Sequence, residues 1–200
     1  MLIIGDVHAK TEQYKQLLHK FNYPDSIQLG DFGFKAEHDW FLKNIFDPQD
    51  TSKHRILFGN HDYLPYVEKD YSLKNWSYFL IEKKSVFTIR GANSVDRNRR
   101  TQGLDWFENE QLTYAQMQEC IDTYARCRPK IVLSHDCPKQ ISYELFNVDD
   151  NSCTSQGLQQ IFEIHKPELW IFGHHHKFVE KVIDGTKFVC LGELQTYWID

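Results

Sequence analysis

The chain has 200 residues, 41% hydrophobic, 26% charged and 14% aromatic, a balance that excludes disorder and suits one globular domain over residues 1–200. Its 28 acidic against 23 basic residues leave a formal charge of −5, so no general positive field exists to hold nucleic acid or an anionic membrane. No apolar run approaches the roughly 18 residues of a membrane span. The start Met1-Leu2-Ile3-Ile4-Gly5-Asp6 lacks the features of a secretory signal, so the expected location is cytoplasmic. Five cysteines without a C-x-x-C pair read as reduced, buried thiols.

Short apolar runs followed by helical patterns recur along the chain. Leu2–Ile4 is a predicted strand, and Tyr14, Leu17, Leu18 and Phe21 share one helical face with Thr11 as the expected cap. Ser26–Leu29 is the next strand, leading to helical spacing at Trp40, Phe41 and Ile45; Arg55–Phe58 is another. Tyr78–Ile81 and Val86–Arg90 predict a strand pair joined by Glu82-Lys83-Lys84. An irregular segment, Gly91 to Glu110, precedes a helix opened by a Thr113-x-x-Gln116 capping box. Ile131–Leu133 reads as a strand, Leu158, Ile161, Phe162 and His165 as a helix, and Leu169–Phe172 as a further strand. Phe178–Ile183, Asp184-Gly185 and Thr186–Leu191 give a strong hairpin signal. Alternation early and hairpins late predict an α/β domain with mixed parallel and antiparallel sheets.

The endings of five apolar runs carry the chemistry. They are Gly5-Asp6-Val7-His8, Gly30-Asp31, Gly59-Asn60-His61-Asp62, Ser134-His135-Asp136 and Gly173-His174-His175-His176. In an open α/β sheet the carboxyl ends of strands line the ligand crevice, so five distant segments can converge there. If these stretches are extended, residues two apart face the same way: Asp6 and His8 share one centre, His174 and His176 share one, and His175 faces away. Asp6, His8, Asp31, Asn60, His135, His174 and His176 form a donor set of imidazole, carboxylate and amide oxygen without thiolate. That set suits manganese, iron or zinc in a catalytic, water-bearing site. Seven donors are too many for one four-coordinate ion and about right for two ions sharing a carboxylate.

The ordered blocks D-x-H, G-D, G-N-H-D, a lone H and G-H-x-H across residues 5 to 176 resemble the calcineurin-like metallophosphoesterases. The resemblance implies a four-layer α/β/β/α sandwich with mixed sheets and a two-metal site. It implies that Asp6, His8, Asp31 and His176 hold one ion, that Asp31, Asn60, His135 and His174 hold the other, and that Asp31 bridges. It further implies His61 as the catalytic histidine and Asp62 as its orienting carboxylate. Ala9 departs from the glycine that often follows the first histidine, without touching a ligand.

Two divalent ions can clamp phosphate oxygens and acidify a shared water, so that hydroxide is the expected nucleophile near neutral pH. A protonated His61 is the expected general acid for the leaving oxygen. Manganese is the expected metal, with iron, zinc, nickel or magnesium as alternatives. Within the irregular segment, Arg97 and Arg100 are candidate phosphate-binding residues, while a local Asp96–Arg97 ion pair is the plainer expectation. Tyr63, Tyr66, Tyr71 and Trp76 read as a packed aromatic cluster, with base stacking as the alternative. Asp136 and Cys137 read as supporting residues, and His19, His38, His54 and His165 as ordinary surface or helix histidines.

The expected function is hydrolysis of small phosphodiesters, nucleotide-type or other. Asp31-Phe32-Gly33 lacks the G-D-x-x-D-R-G run of the phosphoprotein phosphatases, which sets a monoesterase or protein phosphatase second. A catalytically silent protein-binding scaffold of the same fold is the alternative from another class. A nucleic-acid substrate is not favoured by the charge, and no membrane partner is expected.

Overall fold

The computed structural model describes residues 1–33, 53–63 and 71–200. The expected helix around Trp40, Phe41 and Ile45, with His38 and Tyr66, lies outside these residues.

Among the described residues, ten strands form two mixed sheets. The first has the order β10-β1-β2-β3, built from β1 (Leu2–Ile4), β2 (Ser26–Gln28), β3 (His54–Ile56) and β10 (Thr196–Trp198). Here β1, β2 and β3 run parallel, and β10 is antiparallel to β1. The second sheet has the order β4-β5-β6-β7-β9-β8, from β4 (Trp76–Ile81), β5 (Lys84–Ile89), β6 (Ile131–Ser134), β7 (Leu169–Phe172), β8 (Val179–Ile183) and β9 (Thr186–Cys190). Strands β5, β6, β7 and β9 are parallel, with an antiparallel strand at each edge.

Strand alternation sorts the apolar side chains into three layers. Ile3, Ile27, Leu133, Ile171 and Val189 face inward between the two sheets. From the first sheet, Leu2, Ile4 and Ile56 face outward, where Tyr14 and Leu18 of α1 (Thr11–Lys20) cover them. From the second sheet, Phe87, Val132, Trp170, Phe172 and Phe188 pack under α2 (Tyr114–Cys127), α3 (Lys139–Phe146) and α4 (Cys153–Ile164). The result is the α/β/β/α sandwich. Full burial of each such Leu, Ile or Phe contributes about 1.5–3 kcal/mol. None of the described helices is long and apolar enough to cross a membrane.

Local signals explain most boundaries. The capping box forms as read: Gln116 N–H donates to Thr113 Oγ1 at 3.2 Å, and Thr113 N–H donates to Gln116 Oε1 at 3.0 Å. Three expectations need correction. Thr11 is the first residue of α1 and Lys10 occupies the cap position without a side-chain bond. The β4–β5 turn is the two residues Glu82 and Lys83, with φ of 47° and 71°, which match the twist of the hairpin, so Lys84 belongs to β5. His54 is buried rather than superficial, its Nδ1 lying 2.8 Å from Ser26 Oγ across the β2–β3 pair. The short α3 and β10 were not anticipated.

Candidate metal centre

The loops leaving β1, β2 and β3 of one sheet and β6 and β7 of the other meet at a single place. There they form two donor groups that share Asp31: Asp6, His8, Asp31 and His176 in one, Asp31, His135 and His174 in the other. In the first, His8 Nε2 lies 2.8 Å from His176 Nε2 and 3.8 Å from both Asp6 Oδ2 and Asp31 Oδ2. His176 Nε2 is also 3.2 Å from Asp6 Oδ2. In the second, His135 Nε2 is 3.4 Å from Asp31 Oδ1 and 3.0 Å from Asn60 Oδ1.

Supporting bonds aim these donors. His135 Nδ1 donates to the Leu29 carbonyl at 2.7 Å, which leaves Nε2 directed at Asp31 and Asn60. Asn60 Nδ2 donates to Ser94 Oγ at 2.9 Å, which turns its Oδ1 toward His135. Asp6 receives the His174 N–H at 3.1 Å.

The fit to a cation pair rests on Asp31. Its Oδ1 accepts the His61 N–H at 2.9 Å, while Oδ2, fully buried, has no hydrogen-bond partner. A buried carboxylate oxygen left unpaired costs free energy, and here that atom stands between the two donor groups. A shared divalent pair accounts for it, and the all-oxygen-and-imidazole donor set suits such ions.

Without ions, the carboxylates and imidazoles of the cluster shift one another. Burial opposes ionisation of Asp31, but His135, His61 and His8 outweigh it and hold the carboxyl below its usual range. His135 is shifted upward: burial works against its charge, and Asp31 and Asp6 more than compensate. Burial, with His135 and His175 nearby, pushes His174 down to about 4, so its imidazole is neutral and able to ligate.

Close approach explains the glycines. A Cβ on Gly59 would lie 2.2 Å from Asp31 Oδ1, and one on Gly173 would lie 2.2 Å from Asp6 Oδ1. The backbone is also strained, with φ of 46° at His8, 51° at Asp31, 63° at His174 and 52° at His176. Such left-handed residues cost of order 1–3 kcal/mol each and cluster at functional sites. This geometry corrects one expectation. Because the chain turns at His174 and His176 instead of running extended, the two histidines fall in different donor groups rather than sharing one.

His61 is half-buried beside both groups, with Nε2 4.0 Å from Asp31 Oδ2. Its Nδ1 is 3.3 Å from the Asp105 carbonyl and 3.3 Å from Arg100 Nη1. Asp62, given an orienting role by the resemblance, also holds backbone together. Its carboxylate accepts backbone N–H bonds from Phe32 (3.2 Å), Gly33 (2.8 Å) and Gly59 (2.9 Å), tying the loops after β2 and β3 together. Of the two candidate arginines, Arg100 enters the site. Arg97 is exposed and lines a separate cleft with Arg90, Asn93 and Asp149. Asp96 pairs with Arg100 rather than with Arg97, through two bonds of 2.6 and 2.7 Å. Of the expected aromatic cluster, Tyr63 and Tyr71 both join the core under α1, with Tyr63 also against Phe107, whereas Trp76 packs in the core of the other sheet. Sequence reasoning missed Ser94 and Asp105, whose only signal is their position in the irregular segment.

Solved structures share this arrangement of layers. A dimetal phosphatase from Danio rerio superposes with a TM-score of 0.58 at 11% identity, over 96% of this chain and 87% of that one. A phosphopantetheinyl hydrolase from Mycobacterium tuberculosis gives 0.56 at 11% identity, over 96% and 89%. A Staphylococcus aureus protein solved with α-ketoglutarate gives 0.51 at 15% identity over 96% of this chain, which spans 48% of that longer one, about half its length. No curated protein matches the sequence. The model of the calcineurin-like phosphoesterases matches residues 1–178, the span that holds every donor described above, and the chain belongs to that family.

Proposed function

We propose that the protein is a two-metal phosphodiesterase acting on small esters. The observation that carries the diester preference is a pair of clefts, each about 300 Å³, that meet at His61, Arg100 and His176. One runs past Ala9, Gly33, Leu104 and Asp105, the other past Ser94, Val95, Asp96 and Val148. A phosphodiester has two organic arms on one phosphorus, and a cleft on each side of the histidines supplies a seat for each. Arg100 is the only lysine or arginine among the described residues lining either cleft, which matches the single negative charge of a diester better than a monoester dianion.

Asp6, His8, Asp31 and His176 would hold one ion and Asp31, Asn60, His135 and His174 the other, with manganese suited to these oxygen and imidazole donors. When bound, the ions supply Lewis-acid charge and acidify a water for attack on phosphorus. Arg100 orients a non-bridging phosphate oxygen. Its guanidinium is kept cationic by its bonds to Asp96. His61 directs Nδ1 to the Asp105 carbonyl and Nε2 toward the donor groups. As the phosphorus–oxygen bond to the leaving group breaks, the Nε2 proton passes to that oxygen, a step worth about 10² to 10⁴ in rate. The presence of His61 at the junction of the clefts favours an enzyme over a binding scaffold.

The test is hydrolysis of bis(p-nitrophenyl) phosphate beside p-nitrophenyl phosphate, with Mn²⁺ and with chelator, for the wild type and Asp31→Ala. Metal-dependent diester cleavage, faster than monoester cleavage and lost in the variant, is expected. Faster monoester turnover would overturn the diester assignment, and no turnover of either ester would overturn the enzymatic one.

A further inference from the structure

A second constellation lies behind the first and shares no side chain with it. Asp136 and Cys137 follow His135 out of β6, and His175 sits between His174 and His176 beyond β7. Donor atoms of these three residues all lie within 4.8 Å of one another. His175 Nε2 is 3.5 Å from Asp136 Oδ1 and 3.5 Å from Cys137 Sγ. Donors about 2.3 Å (sulfur) and about 2.0–2.1 Å (nitrogen, oxygen) from a tetrahedral zinc are separated by about 3.5 Å, so both contacts have the edge length of such a polyhedron. The oxygen–nitrogen contact is, by contrast, long for a hydrogen bond.

An independent observation concerns the same carboxylate. Asp136 is 2% exposed, and although its Oδ1 accepts the Cys137 N–H at 2.7 Å, its Oδ2 is buried with no hydrogen-bond partner. The ring of His175 is meanwhile fixed flat on Phe146, with centroids 4.1 Å apart and planes 15° apart. A thiol, an imidazole and an unsatisfied carboxylate oxygen form a softer donor set than the seven residues of the main centre, which include no sulfur.

We propose that Asp136, Cys137 and His175 form a third metal site, suited to zinc, that clamps the loops carrying His135 and His174. As the sulfur–metal bond forms, the thiol proton leaves to solvent. Asp136 and His175 are each adjacent in sequence to a donor of the main centre and Cys137 is two residues from His135, so an ion here fixes the backbone from which His135 and His174 project.

The test is titration of the metal-free protein with cobalt(II), read as the sulfur-to-cobalt charge-transfer absorption and as bound metal per chain. The wild type should show the thiolate band, Cys137→Ser should lose the band and one equivalent of metal, and Asp31→Ala should keep the band. His175→Gln, which removes a ligand but leaves the thiol, should weaken the cobalt species that carries the band by about tenfold or more. No band at saturating cobalt, a band that survives in Cys137→Ser, or a band lost in Asp31→Ala would each overturn the site. Asp31→Ala also separates this proposal from the main centre, since its loss of ester hydrolysis leaves the thiolate signal untouched.

Discussion

Arg100 grips both carboxylate oxygens of Asp96, at 2.6 and 2.7 Å, while its remaining terminal nitrogen stands 3.3 Å from His61 Nδ1. The pair aims a guanidinium into the site from a short 3₁₀ turn at Arg97–Arg99. Asp96→Ala should therefore lower kcat/KM for the diester through a raised KM. Both side chains are partly exposed, so the cost in stability should stay within about 1 kcal/mol. Hydrogen bonding from Arg100 holds the Asp96 carboxyl below its usual range, so the pair's small stabilisation is full above the ordinary carboxylate pKa and is lost as pH falls through the depressed one. Steady-state kinetics beside thermal melts at neutral and acidic pH check both statements.

Asp62 supplies a different prediction. Asp62→Ala strips the acceptor from three backbone N–H groups and should cost about 2–4 kcal/mol, a drop of roughly 5–15 °C in Tm. If Asp62 acts by holding the loops, the surviving activity keeps the pH profile of the wild type. A displaced acidic limb would instead indicate a direct effect on His61.

Gly59→Ala places a methyl 2.2 Å from Asp31 Oδ1 and 2.4 Å from Asp31 N, against buried atoms that cannot swing away. Overpacking of this kind costs about 1–3 kcal/mol. The larger effect should be on bound metal, measured per chain by elemental analysis: displacement of Asp31 should remove most of the two equivalents assigned to the main centre.

Metal binding should also register as stability. At about 100 times the dissociation constant, an ion that binds the folded chain alone stabilises it by about 2.7 kcal/mol. Adding Mn²⁺ to chelator-treated protein should accordingly raise Tm by about 5–10 °C, and Asp31→Ala should show a much smaller rise.

The strand ends were legible because their signal is local: an apolar run stops at Gly-Asp, Gly-Asn-His-Asp or Gly-His, and β1 and β7 end at that glycine's edge, while β2 ends one residue and β3 two residues before the expected end. The sandwich followed from the ordered blocks. What the sequence concealed depends on contacts between distant segments or on unusual φ. Extended alternation would pair His174 with His176, and only the left-handed backbone at both positions separates them. Two of Asp62's partners, Phe32 and Gly33, are some 30 residues away, in a loop whose approach no spacing reveals. Asp96 had two arginines within reach, and the 3₁₀ turn brings Arg100 to it rather than Arg97. β10 is three residues long and is defined only by its pairing with β1.

The donors are divided between the two sheets: Asp6, His8, Asp31 and Asn60 leave one, and His135, His174 and His176 leave the other. The apolar filling between them, with Ile3, Ile27, Leu133 and Ile171, is therefore a spacer that sets how far apart the two halves of the centre stand. Shaving Ile171 to Ala, with no change near any ligand, lets that gap relax, and a defect in the middle of the molecule is then felt as a misfit between metal ligands at its rim.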